Sequence, residues 1–325
     1  MDECSRPHVT RRQFIRQGAG AAAALAAAPR LAAAAPAGPA VVVVRDKTQS
    51  VVEGFEVDAD ITQRLVDRAV MALAGKDDVA TAWATFVRPS DRVAIKFNGL
   101  FRRATTKPEV IHAVVRGLLQ AGVEPQRITV YDRSDKDMKT TGLELRREGE
   151  GVRIHGTGRD YGPPVQAGPV GTRLSNILLG ADAVINIPMM KSHVRCSTTG
   201  ALKNHLGSVP NAGAFHKDFC SAIADLNTLG PIKDKTRLCI ADALYALYHA
   251  GPGFNGRFRW DFCGVLAATD PVALDATLDD IIRAKRLEKG LDRPHHNDPK
   301  HIARAGELGL GEADLAKVQR RELAV

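Results

Sequence analysis

The residues with the greatest capacity for chemistry crowd into one stretch, Asn186 to Asp218, which reads NIPMMKSHVRCSTTGALKNHLGSVPNAGAFHKD. It brings Lys191, His193, Arg195, Lys203, His205, His216 and Lys217 together with the small run Ser197-Thr198-Thr199-Gly200. Small residues ahead of a helix, with a lysine close behind, make an anion cradle: free backbone N–H groups, hydroxyl donors and one positive charge. Ser197, Thr198, Thr199 and Gly200, with Lys191, are therefore expected to bind a small anionic substrate. Histidines this close together can move protons near neutral pH or hold a metal. His193 or His205 is the expected acid/base group, Lys203 shares the catalytic position, and His216 is the candidate metal ligand. The spacings match no zinc signature, and the competing reading is a long surface loop of solvated bases. A loop this rich in mixed donors, lying after a buried strand, is more often functional than idle.

The elements around it alternate between strand and helix. Val41-Val42-Val43-Val44 reads as a buried strand, and Asp60 as the cap of a helix from Ile61 to Ala74 that stops at Gly75. Arg92 to Phe97 is the next strand; Pro108 opens a helix with an apolar stripe, closed by Gly122. Ile128 to Tyr131 is a third strand, Leu174 to Leu179 a short helix, and Ala183 to Ile187 a strand closed by Pro188. Leu238 to Ala241 and Val265 to Ala268 are two more strands. Asp270-Pro271 then caps and starts a long helix through Arg283, and a last helix spans Pro299 to Leu308. Strands separated by helices predict parallel pairing through crossovers. The expected fold class is α/β, a mostly parallel sheet flanked by helices, either as one body or as two lobes with the site between them.

In such sheets the ligand lies beyond the carboxyl ends of the strands. Several of these strands end in polar residues: Lys96 and Asn98, Asp132, Asn186 through Lys191, Asp242 and Asp270. Lys96 and Asn98 are expected to contact the anion. Asp132 and Asp242 are either metal ligands beside His216 or turn caps, and Asp270 is a helix cap. His249 sits in a glycine-rich turn able to close over the pocket, whereas His295, His296 and His301 are expected at the surface. No G-x-G-x-x-G, G-x-x-x-x-G-K-[ST] or G-x-S-x-G occurs, which removes the usual support for nucleotide-binding and serine-hydrolase readings.

The first 39 residues read as an export signal. Arg11-Arg12-Gln13-Phe14-Ile15 is followed by an alanine-rich apolar stretch and by Ala35-Pro36-Ala37, in the order of a secretory signal. The paired arginine points to the twin-arginine translocase as a partner during export. Residues 40–325 then form an α/β domain with a periplasmic or extracellular destination. Arg30 interrupts the apolar stretch, which argues against a retained membrane anchor. The formal charge is +8, of which residues 1–40 supply +3, leaving a mildly basic +5 with only 5% aromatic residues. That balance excludes an extended nucleic-acid surface and suits a small anionic molecule. Cys196, Cys220, Cys239 and Cys263 contain no C-x-x-C pair, so there is no iron–sulfur cluster motif, and the cofactor is left open, a metal among the options. The four can make two disulfides after export, but Cys239 and Cys263 lie in apolar runs and are expected as buried free thiols.

Lys96-Phe97-Asn98, Asp132, Gly180 through Pro188, Lys191-Ser192-His193, Gly200 through Asn204, Gly207, Asp242 and Thr269 through Asp275 together resemble the DUF362 family from about residue 85 to 315. The resemblance implies no agreed reaction. Many members carry an added ferredoxin module that has no counterpart here, so a separate redox partner is an expectation. A more distant resemblance is to the nickel-pincer lactate racemase segment, carried by His193, Thr199-Gly200, Lys203 and Pro210. It implies Lys203 as a cofactor tether, His193 as a proton shuttle and His216 as a nickel ligand. Ala201 and Asn211 depart from that pattern, each standing where the racemases have glycine. The function expected is an exported enzyme of redox or isomerase type acting on a small anion in a Lys/His-lined cleft, since no activated nucleophile is visible for hydrolysis. The alternative is a non-catalytic metal- or anion-binding protein of the cell envelope.

Overall fold

Val41 and Val43 pack into one cluster of apolar side chains while Val42 and Val44 pack into another. A strand buried on both faces reads as an unbroken apolar run rather than as an alternation, and this one, β1 (Ala40–Arg45), lies inside a covered sheet. The computed structural model describes residues 38–291 and 298–325; residues 1–37 of the segment read as an export signal, with His295 and His296, lie outside the described residues. Nine further strands join β1: β2 (Val93–Phe97), β3 (Ile128–Tyr131), β4 (Arg153–Ile154), β5 (Ala183–Ile187), β6 (Met189–His193), β7 (Ser197–Thr199), β8 (Thr236–Leu247), β9 (Arg259–Ala268) and β10 (Gln319–Ala324). The order is β10-β1-β9-β8-β5-β2-β3-β4, with β6 paired to β7 and β8 off this path. Pairing is mostly parallel; β1 with β9, β8 with β9, and β6 with β7 are antiparallel.

Helix α1 (Ala59–Ala74) and helix α2 (Pro108–Gln120) cover one face, with Leu65, Val66, Val110, Ile111 and Val114 against Ile95 and Val93. The cap of α1 is Asp58, whose carboxylate accepts from the Ile61 amide at 2.7 Å, two residues before the aspartate that the sequence pattern favours. Gly75 ends α1 in the left-handed conformation, as its position predicts. The other face carries α3 (Ala201–Asn204), α4 (Pro271–Glu288) and α5 (Lys300–Glu307). Asp270 caps α4 through the amides of Val272 and Ala273. No helix among the described residues is long and apolar enough to cross a membrane.

Three expectations need correction. Strands β8 and β9 are far longer than the apolar runs within them and form an antiparallel hairpin, because only the short segment from 248 to 258 joins them and a parallel crossover needs a longer one. The segment read as a helix from Leu174 begins in the second strand of a hairpin, Tyr161–Ala167 with Val170–Ser175, and becomes helical only over Asn176–Gly180. Residues 38–325 form one compact unit, so the two-lobe alternative is not realised.

Candidate functional site

The strands β5, β2 and β3 lie side by side and parallel, so their carboxyl ends share one edge of the sheet, and β6 continues from β5 alongside β8. The β6–β7 pair sets Lys191 opposite Thr199 and His193 opposite Ser197. Behind it, the short α3 presents Lys203, and a 3-10 turn over Ala212–His216 presents His216. Together they enclose a cavity of about 200 Å³ lined by Lys96, Asn98, Asp132, Lys191, His193, Thr199, Lys203 and His216, with Phe101, Leu206 and Pro252 as apolar wall.

Inside it, Lys203 Nζ lies 3.0 Å from His216 Nε2. His216 Nδ1 is 3.0 Å from the Ala212 carbonyl, which can only accept, so Nδ1 carries the proton and Nε2 offers its lone pair to the lysine. The His193 ring stacks on that of His216 at 5.5 Å between centroids. His193 Nδ1 accepts from the amides of Arg195 and Cys196 at 3.1 and 3.2 Å, so in the neutral ring Nε2 bears the proton. Thr199 Oγ1 is buried without a hydrogen-bond partner. A buried hydroxyl left unsatisfied at a cavity wall is a place for a ligand group or an ordered water.

The electrostatics favour anions. Lys191 Nζ is held by Asn98 Oδ1 at 3.0 Å and the Ala104 carbonyl at 2.5 Å, and neither Lys191 nor Lys203 has a carboxylate in an ion pair among the described residues. Burial, with repulsion from Lys203, Lys107 and Lys96, pulls Lys191 down to about 7. Desolvation pulls Lys203 to about 7 as well. The histidines move further: burial, then Lys203, brings His216 to about 4, and the same two causes hold His193 well below the neutral range. Among the residues that line the cavity, the groups brought to the neutral range are thus the two lysines, not the histidines that the sequence favours for proton transfer; outside the lining, burial also pushes Asp275 up to about 7.

Several expected site residues are engaged elsewhere. The run Ser197-Thr198-Thr199-Gly200 does receive an anion, but it is the protein's own: Asp275 of α4 accepts from the amides of Ala201 and Leu202 at 2.5 and 3.0 Å. Ser197 and Thr198 donate to Asp279 one turn later, at 3.1 and 2.7 Å. A side chain on Gly200 would overlap the Asp275 carboxylate, which accounts for the glycine. Of the four, only Thr199 faces the cavity. Asp132 lines the cavity but is saturated by Lys96 Nζ at 2.8 Å and by the amides of Gly99 and Arg133. Asp242 is fully buried against the Lys107 amide and Nζ, away from His216. The expected metal set of His216, Asp132 and Asp242 is therefore not assembled, since both carboxylates neutralise buried lysines.

His205 turns away from this cavity. Its Nε2 meets Asn186 Nδ2 at 3.2 Å, it lines a separate cavity with Asn227 and Lys233, and burial holds it down to about 3. Asn186 and Asn204 link it back to Lys96: Asn204 Nδ2 donates to Asn186 Oδ1 at 2.7 Å and Lys96 Nζ donates to Asn204 Oδ1 at 3.2 Å. His249 pairs with Arg286 instead of entering the cavity, although Pro252 of the same turn does enter. His301 is fully buried rather than solvated, on the inner face of α5. Cys239 and Cys263 are buried free thiols as expected, and Cys196 is joined to Cys220.

Sequence reasoning missed Asp275 and Asp279 as partners of the small run. Their four-residue spacing on the buried face of a helix was the available signal, because a buried carboxylate needs donors. A tethered pyridinium–nickel group does not fit these residues as they stand. Lys203 and His216 are in direct hydrogen bond, with no space between the would-be tether and the would-be metal ligand.

A family model described as a domain of unknown function, DUF362, matches residues 93–279. A thylakoid-associated protein of Synechocystis sp., sll1697, is 31% identical over 215 residues, covering 61% of this chain; the chain spans 65% of that relative's length. Among solved structures, a structural-genomics target from Thermotoga maritima is similar with a TM-score of 0.38 and 12% identity, over 60% of this chain and 52% of its own. The lactate racemase apoprotein of Thermoanaerobacterium thermosaccharolyticum has a TM-score of 0.38 and 11% identity, over 71% and 54%. The family match takes in more than half of the chain, including every strand end that lines the cavity, and the protein belongs to the DUF362 family.

Proposed function

We propose that the cavity binds a small organic anion and moves a proton on it, with Lys203 as the group that gives and takes the proton and Lys191 as a fixed cation. The observation that carries this is Lys203 Nζ beside the His216 Nε2 lone pair, in a cavity whose two lysines lack carboxylate partners among the described residues. An amine near 7 is divided between its acid and base forms at neutral pH, where general acid–base catalysis is most effective. His216 accepts from Lys203 and orients it, and Thr199 Oγ1 is free to donate to the bound anion. This chemistry falls in the isomerase or redox class, the latter with a separate electron partner.

Export by the twin-arginine route, to the periplasm or beyond, belongs to the same proposal and rests on Arg11-Arg12 and the alanine-rich stretch after them. The Cys196–Cys220 disulfide supports it, since such bonds persist in oxidising compartments.

The test is exchange of carbon-bound hydrogen for deuterium in a panel of small mono- and dicarboxylates, followed by NMR in D₂O, for the wild type and Lys203→Met. Exchange that disappears in Lys203→Met supports proton transfer. A second reading, anion binding without turnover, is favoured by the weak basicity of both cavity histidines. It predicts thermal stabilisation by a carboxylate with no exchange. If no member of the panel stabilises or exchanges, the anion site itself is refuted.

A further inference from the structure

Cys196 stands where two kinds of chemistry meet. Its sulfur and one ring nitrogen each of His193 and His216 lie within 4.8 Å of one another. All three come from the segments that wall the cavity, and the same sulfur is bonded to Cys220, four residues beyond His216. We infer that Cys196 has two mutually exclusive partners: Cys220 in the oxidised protein and, in the reduced protein, a divalent metal ion held jointly by Cys196, His193 and His216.

The ligand chemistry supports this choice of residues. One thiolate and two imidazoles form a soft-to-borderline set suited to zinc or its spectroscopic substitute cobalt, and three protein ligands leave a fourth position open. Two of the three ligands, His193 and His216, line the cavity, so a ligand in the open position would come from it. His216 is already arranged as a ligand, because its Nδ1 proton is directed at the Ala212 carbonyl and its Nε2 lone pair points inward. A metal at Nε2 displaces the Lys203 amine from its hydrogen bond and requires it to turn away, a freedom that a group tethered through Lys203 does not have. His193 is the weakest of the three, since it must release the amide bonds to Nδ1 or surrender its Nε2 proton.

Interconversion balances with ordinary reagents. A dithiol reductant delivers two electrons and two protons to the Cys196–Cys220 bond and becomes a disulfide itself. The Cys196 thiol then loses its proton as it binds the metal, while the Cys220 thiol keeps its own. Both sulfurs are fully buried, so a folded oxidised chain is slow to reduce. The metal state therefore belongs to the chain as it first folds in a reducing compartment; after the metal leaves, a disulfide-bonded oxidant that takes two electrons and two protons from Cys196 and Cys220, and is itself reduced to a dithiol, would lock the cavity without it.

The inference does not depend on the proton-transfer reading, because its test measures metal binding and no turnover. Cys220→Ser leaves Cys196 a free thiol without any added reductant. Titrated with Co²⁺, this variant is expected to bind one equivalent with a thiolate-to-cobalt charge-transfer band in the near ultraviolet. Oxidised wild type is expected to lack the band and bind at least tenfold more weakly. Cys196→Ser/Cys220→Ser is expected to lose the band, and Cys220→Ser/His216→Ala to bind at least tenfold more weakly than Cys220→Ser. Circular dichroism establishes that each variant is folded, and wild type purified and titrated under a phosphine reductant gives the same comparison should Cys220→Ser misfold. A folded Cys220→Ser or reduced wild type without the charge-transfer band overturns the inference. So does equal binding when Cys196 is removed.

Discussion

Asp275 on α4 reaches back 74 residues to hold the amide of Ala201, at 2.5 Å, and closes the anion cradle at the start of α3 with a carboxylate of the chain itself. The cavity that remains available lies on the other side of α3, where Lys203 meets His216. The Asp275 clamp therefore neighbours the cavity without lining it, and substitutions in the clamp should act on stability.

Asp275→Ala leaves the amides of Ala201 and Leu202 without acceptors, and buried unmade hydrogen bonds of this kind cost about 2–4 kcal/mol in total. Asp275→Asn keeps one carbonyl oxygen and should cost roughly half as much. Gly200→Ala should destabilise as well, by forcing the carboxylate away. Urea denaturation midpoints measure all three; an Asp275→Ala protein as stable as wild type would remove the clamp from the account.

The Lys96–Asp132 pair is buried, at 2.8 Å. Removing one partner strands the other charge, so Asp132→Ala should cost about 3–5 kcal/mol. Lys96→Met combined with Asp132→Leu should cost clearly less than the two single changes added together. A double-mutant cycle on unfolding free energies checks this, and strict additivity would contradict it.

Anion affinity should fall as pH rises through about 7. Lys191 and Lys203 lose their charge there, and the cavity keeps no other cation without a carboxylate partner among the residues that line it. With oxalate as a probe dicarboxylate, isothermal titration should show affinity dropping at least tenfold between pH 6 and pH 8.5, on the order of the loss of one to two favourable charge contacts. Lys191→Met should weaken binding at pH 6 and flatten the profile. Affinity that does not change over this range would separate the lysines from the binding site.

The ligand-free protein should behave in the opposite sense. Both lysines hold a proton less tightly when folded, at about 7, than at the ordinary value of 10.5 in the unfolded chain. Between these values the unfolded chain binds more protons, so stability rises with pH across that window, and the unfavourable contribution is fully present below it. Discounted for partial solvation of Lys203, the rise should be about 1–3 kcal/mol from pH 7 to pH 10. Lys203→Met should remove part of it, as read from denaturation midpoints at each pH.

Much of the scaffold was legible locally. The apolar runs at Val41–Val44, Ile128–Tyr131 and Ala183–Ile187 are strands because β-branched residues suit a buried pleated surface, and Pro108, Gly75 and Asp270 mark helix ends because of their own backbone or capping chemistry. The polar residues just beyond those strands announced a shared cleft: Lys96, Asn98, Asp132, Lys191, His193, Lys203 and His216 do line one cavity.

What the sequence could not determine by itself was which of these groups are satisfied and which are free. Ser197, Thr198 and Gly200 look like ligand donors until α4 brings Asp275 and Asp279 to them, and Asp242 looks like a metal ligand until Lys107 is found 3.2 Å away. The direction of β9 beside β8, the burial of His301 and the joining of Cys196 to Cys220 are likewise products of tertiary packing. Capping and strand propensity act over a few residues and are written in local order. Charge compensation and desolvation act through space between segments far apart in the chain, so the same lysine can be an ordinary surface cation or a neutral-range amine according to what packs around it.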